Sequence, residues 1–207
     1  MTPALAFFYG GMVRKKNILS TLNLSMITMG LISIQWVLFG YSLAFGGSVA
    51  GGLVGGLEHV GLANVGIEMQ PDDAIPPLLF AMFQMTFAII TPALITGAFV
   101  ERVNFKAFLV FTVLWSTLIY DPVCHWVWGG GLFTMLHPEP LDFAGGAVVH
   151  ITAGFSALAF AMMIKARHGF GKVSFEPHNI TFTVLGAGLL WVGWFGFNGG
   201  SALAADG

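Results

Sequence analysis

Every lysine and arginine of this chain falls on one side of an alternating ladder of apolar segments. The eight are Arg14, Lys15, Lys16, Arg102, Lys106, Lys165, Arg167 and Lys172, and they follow only the first, third and fifth segments. The connections after the second and fourth carry Glu58, Glu68, Asp72, Asp73 and Glu139 and no basic residue. Short connections rich in Lys and Arg stay on the cytoplasmic side during insertion. The pattern therefore defines an all-α polytopic membrane protein in a lipid bilayer, with its N-terminus extracytoplasmic.

Composition enters as a constraint on partners. Charged residues make up 9% of the chain against 56% hydrophobic, where a soluble domain carries about 25% charged residues. A net charge of -2 gives no basic surface for nucleic acid. The single cysteine, Cys124, rules out an internal disulfide and any Cys-based zinc or iron–sulfur site. The basic cluster lies behind the opening apolar stretch and not before it, so no cleavable signal peptide is expected.

A spanning helix takes about 20 mostly apolar residues. Segments 21–45, 76–99, 108–128, 144–164 and 180–204 meet this, the fourth with a kink expected at Asp121-Pro122. Segment 1–12 is short by roughly a third on the same arithmetic, so its remainder is expected before Met1. The C-terminus follows the sixth segment at once, and the chain is expected to be a piece of a longer protein. Residues 46–73 read as a glycine-rich outer excursion, with a short interfacial helix near 57–62. The fifth segment holds Gly146, Ala153, Gly154, Ser156, Ala157 and Ala159; small residues let helices approach, so it is expected to pack centrally. Phe7-Phe8-Tyr9-Gly10-Gly11 is echoed by Phe195-Gly196-Phe197-Asn198-Gly199-Gly200. The two run in opposite directions, which is the mark of an inverted repeat.

Few side chains could carry chemistry. His150 lies mid-way along the fifth segment, and an ionisable group there faces either a cavity or a hydrogen-bonded neighbour. Asp142 stands three residues before Gly145 and reads first as a helix cap. Phe83 and Phe87 share a helix face; with Trp128 and Phe197 they offer rings for a cation, although each alone suits a lipid-facing or core position. Ser201, one turn after Phe197, contributes a hydroxyl. Glu101-Arg102 reads as an interfacial ion pair. The sequence has no nucleophile–base pairing, phosphate loop or metal-ligand spacing, so neither an enzyme nor a cofactor is expected.

Four motifs together carry a resemblance. Ala6 to Asn17 (AFFYGGMVRKKN), Thr96 to Arg102 (TGAFVER), Asp142 to His150 (DFAGGAVVH) and Gly193 to Ser201 (GWFGFNGGS) resemble the ammonium transporter (Amt/Mep/Rh) family, its prokaryotic Amt branch above all. The resemblance implies an eleven-helix, channel-like inverted-repeat protomer assembled as a homotrimer. Helices one to six would be present here, with a first repeat at 1–166 and the start of a second at 180–207. It implies uptake of ammonium or ammonia, with methylammonium as an analogue, across the plasma or inner membrane, and a cytoplasmic PII-type regulator as partner. Trp128, Ser201, Phe83 and Phe87 would recruit the cation, supported by Asp142. Phe87 and Phe197 would form the gate, and His150 would be the first of two pore histidines, the second belonging to a tenth helix that these residues lack. The alternative implied is an Amt-like ammonium sensor.

Overall fold

A computed structural model describes residues 1–69, 71 and 73–204. Of the readings above, Asp72 and positions 205–207 at the end of the second repeat lie outside them. Helix α1 is Thr2–Met12. Helix α2, residues 18–45, joins Ile18–Gln35, a π-helical turn at Trp36–Gly40, and Tyr41–Phe45. Helix α3 is Pro77–Ile95 with a tighter last turn at Thr96–Ala98. Helix α4, residues 105–128, joins Phe105–Trp115, a π-helical turn at Ser116–Tyr120, and Asp121–Trp128. Helix α5 opens with a π-helical stretch, Gly146–Ile151, and continues as Thr152–Met163. Helix α6 is Ile180–Gly200. The runs α2 to α6 are long and apolar enough to cross a bilayer. The glycine-rich excursion after α2 adds a short antiparallel ribbon that the sequence did not announce, β1 Ser48–Val49 with β2 Val54–Gly55. In place of an interfacial helix at 57–62 there is a single 3-10 turn, Val60–Leu62.

The expected kink at Asp121-Pro122 is absent as a break. A proline lacks an N–H and clashes with the carbonyl of the preceding turn. Here the wide turn at Ser116–Tyr120 comes just before Pro122 and absorbs the misfit, so α4 continues through it. The π turn of α2 lies beside it: the Trp36 and Tyr120 rings are 6.4 Å apart. Gln35 Nε2 donates to Asp121 Oδ2 at 2.6 Å between the two helices. Gly40 leaves the room this needs, since a Cβ there would lie 2.7 Å from Gln35 Oε1.

Apolar helices in lipid have no hydrophobic drive toward one another and associate by packing and hydrogen bonds. The side-chain bonds between these helices come largely from aromatic handles. Trp36 Nε1 donates to the Ala81 carbonyl at 3.0 Å, Tyr9 Oη to the Leu94 carbonyl at 2.9 Å, and Trp115 Nε1 to Ser156 Oγ at 2.9 Å. One buried cluster, with Trp36, Phe99, Phe108, Trp115 and Tyr120, sits among α2 to α5; a second, with Leu5, Phe87, Ile90, Val149 and Phe197, joins α1, α3, α5 and α6. The echoing helices α1 and α6 pack antiparallel, Gly11 against Asn179 and Gly186 against Ala4 and Phe8. Helix α5 is less central than its small residues suggest. It buries Val148, Val149 and Ala153, while Phe155, Leu158 and Met162 are exposed, because no described residue covers that face.

At the basic ends of the helices, Glu101 does not pair with its neighbour Arg102. Its left-handed backbone (φ 65°) separates the two side chains, and Arg102 instead donates to the Ala98 and Lys165 carbonyls. The Glu101 side chain, fully shielded, takes Arg14 Nε at 3.1 Å, Asn17 Nδ2 at 2.7 Å and Arg167 Nη1 at 3.4 Å. Both guanidiniums also lie over the Phe175 ring, at 4.6 and 4.2 Å. Burial raises the pKa of Glu101, but the bonds from Asn17 and Arg14 outweigh it and hold the carboxyl below its usual range. A carboxylate lowered in the folded state stabilises above its unfolded pKa, and that stability is lost as pH falls through the folded value. Glu101→Gln is therefore expected to cost about 3 kcal/mol at neutral pH. Thermal unfolding in detergent checks this, and the gap from wild type should narrow below pH 4.5, the ordinary value of the group.

Candidate functional site

Helix α3 places Phe80, Phe83, Gln84 and Phe87 at three- and four-residue steps, so they share one face. The face opens onto a cavity of about 270 Å³ bounded by Phe83, Gln84, Phe87, Trp128, Asp142 and Ser201. Five of these six are residues singled out from the sequence, brought together from α3, the end of α4, the start of α5 and the end of α6. Phe83 and Phe87 meet edge to face at 4.9 Å, and Phe87 and Trp128 do so at 5.6 Å.

The wall opposite α3 is built on Asp142. Its Oδ1 accepts the backbone N–H groups of Gly145 and Gly146 at 2.6 and 2.8 Å, and its Oδ2 those of Ala147 and Val148 at 2.8 and 2.9 Å. The first N–H groups of a helix have no partner within it, and one carboxylate takes four of them. The turn into α5 requires Gly145 at φ 98°, a region costly for other residues. The Asp142 backbone carbonyl accepts Trp128 Nε1 at 2.8 Å, fixing the indole. Asp142 is thus a cap, with both oxygens occupied, whose negative charge remains beside the cavity.

Phe87, which lines the cavity, packs its ring against Phe197, with ring centroids 4.5 Å apart. Phe87 is 1% exposed and Phe197 8%, so the two rings form a buried apolar contact. Beyond it, His150 stacks on Trp194 at 5.7 Å and 7° between planes, and lies 6.0 Å from Phe197. His150 sits in the opening π-helical stretch of α5 and not mid-helix, because α5 begins at Gly146. Among the described residues Ser201 makes no side-chain bond to another helix: its hydroxyl donates to the Phe197 carbonyl at 2.7 Å, leaving the oxygen lone pairs to accept.

Two polar residues escaped the sequence reading. Gln84 lines the cavity although 93% buried, being 7% exposed. Asp121, fully buried on Gln35, was read only as part of a kink. The signal for both was present, a lone polar side chain inside an apolar run.

The arrangement defines a class: a multi-pass α-helical membrane protein whose helices converge on an aromatic cavity. The chain belongs to the Ammonium Transporter Family, whose profile matches residues 1–207. It is 54% identical over 208 residues to an ammonium transporter of Bacillus subtilis, aligning all of this chain with 50% of that protein. Among solved structures, Saccharomyces cerevisiae Mep2 is similar with a TM-score of 0.85 at 38% identity, covering 99% of this chain and 46% of Mep2. A structure described as a sensor Amt protein has a TM-score of 0.87 at 29% identity, covering 99% and 52%. The chain spans about half the length of the curated relatives it matches.

Removing the Asp142 carboxylate strands four N–H groups and unfastens the helix start. Asp142→Ala is expected to lose about 2–4 kcal/mol of stability, from a cap and its charge-assisted bonds together. Melting of the purified protein followed by tryptophan fluorescence measures the loss, and Asp142→Asn should lose less.

Proposed function

We propose that the full protein carries ammonium or ammonia into the cell across the plasma or inner membrane. The observation that carries this reading is the cavity that gathers Trp128, Phe83, Phe87, Ser201 and Asp142, with the Phe87–Phe197 ring contact beside it and His150 6.0 Å from Phe197. With the basic connections cytoplasmic and the N-terminus outside, the cavity faces outward. Ammonium leaves its hydration shell for the ring faces of Trp128 and Phe87 and the hydroxyl oxygen of Ser201. The capped Asp142 adds negative potential at the mouth. A bare cation is costly at the membrane centre, so the Phe87–Phe197 pair acts as the gate: ammonium gives its proton to water at the cavity mouth, and neutral ammonia passes toward His150. The pore then runs beside His150 and is completed by segments beyond the 207 residues described by this sequence. In this reading 1–166 forms the first inverted repeat and 180–207 opens the second. The protein acts as a homotrimer with a cytoplasmic PII-type partner, and it is a transporter and not an enzyme.

A cation–π face contributes about 0.5–2 kcal/mol. Trp128→Ala in the full protein is expected to raise the apparent KM for labelled methylammonium about 2- to 30-fold. Uptake into cells devoid of other ammonium transporters is the assay, and an unchanged KM at normal expression contradicts the reading. A sensor role is the second reading, favoured by the likeness to the sensor Amt structure. It predicts no uptake by the full protein, and an ammonium-dependent output from an attached soluble domain.

A further inference from the structure

Helices α2 and α4 lose their regular period side by side, where the Trp36 and Tyr120 rings meet. In α4 the buried side chains Phe108, Thr112 and Trp115 follow one face, and a period of 3.6 residues carries that face on to Ile119. Ile119 is 42% exposed, and the buried face resumes instead at Tyr120 and Cys124. In α2 the buried Leu24, Thr28, Ile32 and Gln35 are followed by Gly40 and Ala44, not by Phe39. Each helix slips by one residue at its π-helical turn. Such a turn inserts one residue and rotates everything beyond it by about 100° relative to an unbroken helix. Trp128 depends on that rotation. With the insertion its indole reaches the Asp142 carbonyl; without it, Val127 would stand at the same angle.

Gln35 holds the inserted turn from the neighbouring helix. Its Nε2 donates to Asp121 Oδ2 at 2.6 Å and to Thr117 Oγ1 at 3.4 Å. Thr117 lies within the turn and Asp121 directly after it, so one amide staples both. The other two oxygens of the pair, Gln35 Oε1 and Asp121 Oδ1, are buried and have no hydrogen-bond partner among the described residues. A buried polar pair is weak as a source of stability, since apolar side chains of similar volume often do as well, and its best-attested use is to fix register.

We propose that Gln35 and Asp121 are a positioning pair, which holds the wide turn of α4 and through it keeps Trp128, and not Val127, turned toward the cavity. The pair touches no substrate and acts only through the indole. Its effect on transport rests on the ammonium reading above, while its effect on the indole does not.

The test uses the full protein labelled with 5-fluorotryptophan, the Trp128 fluorine resonance being the one lost in Trp128→Phe. Gln35→Leu combined with Asp121→Leu removes both polar side chains at once and leaves neither buried alone. This double variant is expected to shift the Trp128 resonance. It should also raise the apparent KM for methylammonium about two- to tenfold, within the effect of losing the ring altogether, with a smaller change in maximal rate. Asp121→Asn keeps an oxygen for Gln35 Nε2 and adds an N–H for Gln35 Oε1, so it should retain both the resonance and the KM. Added to Trp128→Ala, the double variant should raise the KM no further, because the two act through one residue; a general structural role adds the same factor in both backgrounds and overturns the proposal. If the double variant does not fold, Gly40→Ala displaces the same amide, since its Cβ would lie 2.7 Å from Gln35 Oε1, and the same outcomes are read from it. An unmoved Trp128 resonance overturns the positioning whatever transport shows. A shifted resonance with unchanged KM, while Trp128→Ala weakens uptake, overturns the role of the pair in transport. A shifted resonance with Trp128→Ala itself unchanged upholds the positioning and overturns the ammonium reading instead.

Discussion

The cavity depends on one carboxylate. Asp142 collects four backbone N–H groups that would otherwise lie unpaired at the start of α5. The same residue's carbonyl anchors the Trp128 indole. One residue therefore sets where α5 begins, where the Trp128 wall stands and where His150 falls relative to the Phe87–Phe197 pair. The helix start would tolerate other caps, but few short side chains could serve all four donors and leave the main chain free for the indole.

The frame around this cap uses devices suited to lipid. Aromatic N–H and O–H groups reach neighbouring backbones, glycines let α1 and α6 touch, and π-helical turns in α2, α4 and α5 shift side chains off the regular period. Two of those turns lie side by side at the Gln35–Asp121 bond, and the third holds His150. Wide turns recur at functional positions because they re-aim residues without ending the helix. At the other end of the molecule, Glu101 ties the connections after α1, α3 and α5 into one polar knot.

Much of this was legible in the chain itself. Spacing of apolar runs placed all five long helices within a few residues, and Lys and Arg placement ordered their ends. Phe83 and Phe87 at four residues apart announced a shared face, and Asp142 before Gly145 announced a cap. What the sequence could not show follows from long-range packing. Pro122 reads as a breaker, and only the wide turn before it explains why α4 runs on. Glu101 and Arg102 are adjacent in sequence, yet a left-handed backbone sends them to different partners. Gln84 looks like one polar residue among many until the fold sets it among the residues that line the aromatic cavity. Helix α5 reads as central, but its open face meets nothing among the described residues, and the chain spans about half the length of the curated relatives it matches.

The central claim is that the aromatic cavity holds an ammonium-type cation. Electron cryo-microscopy of the full protein in lipid nanodiscs, with saturating ammonium and with sodium alone, tests it directly. The account predicts density between Ser201 and the Trp128 ring, within about 6 Å of the ring centroid, in ammonium and not in sodium. An empty cavity under ammonium, or the same density in both salts, would contradict it.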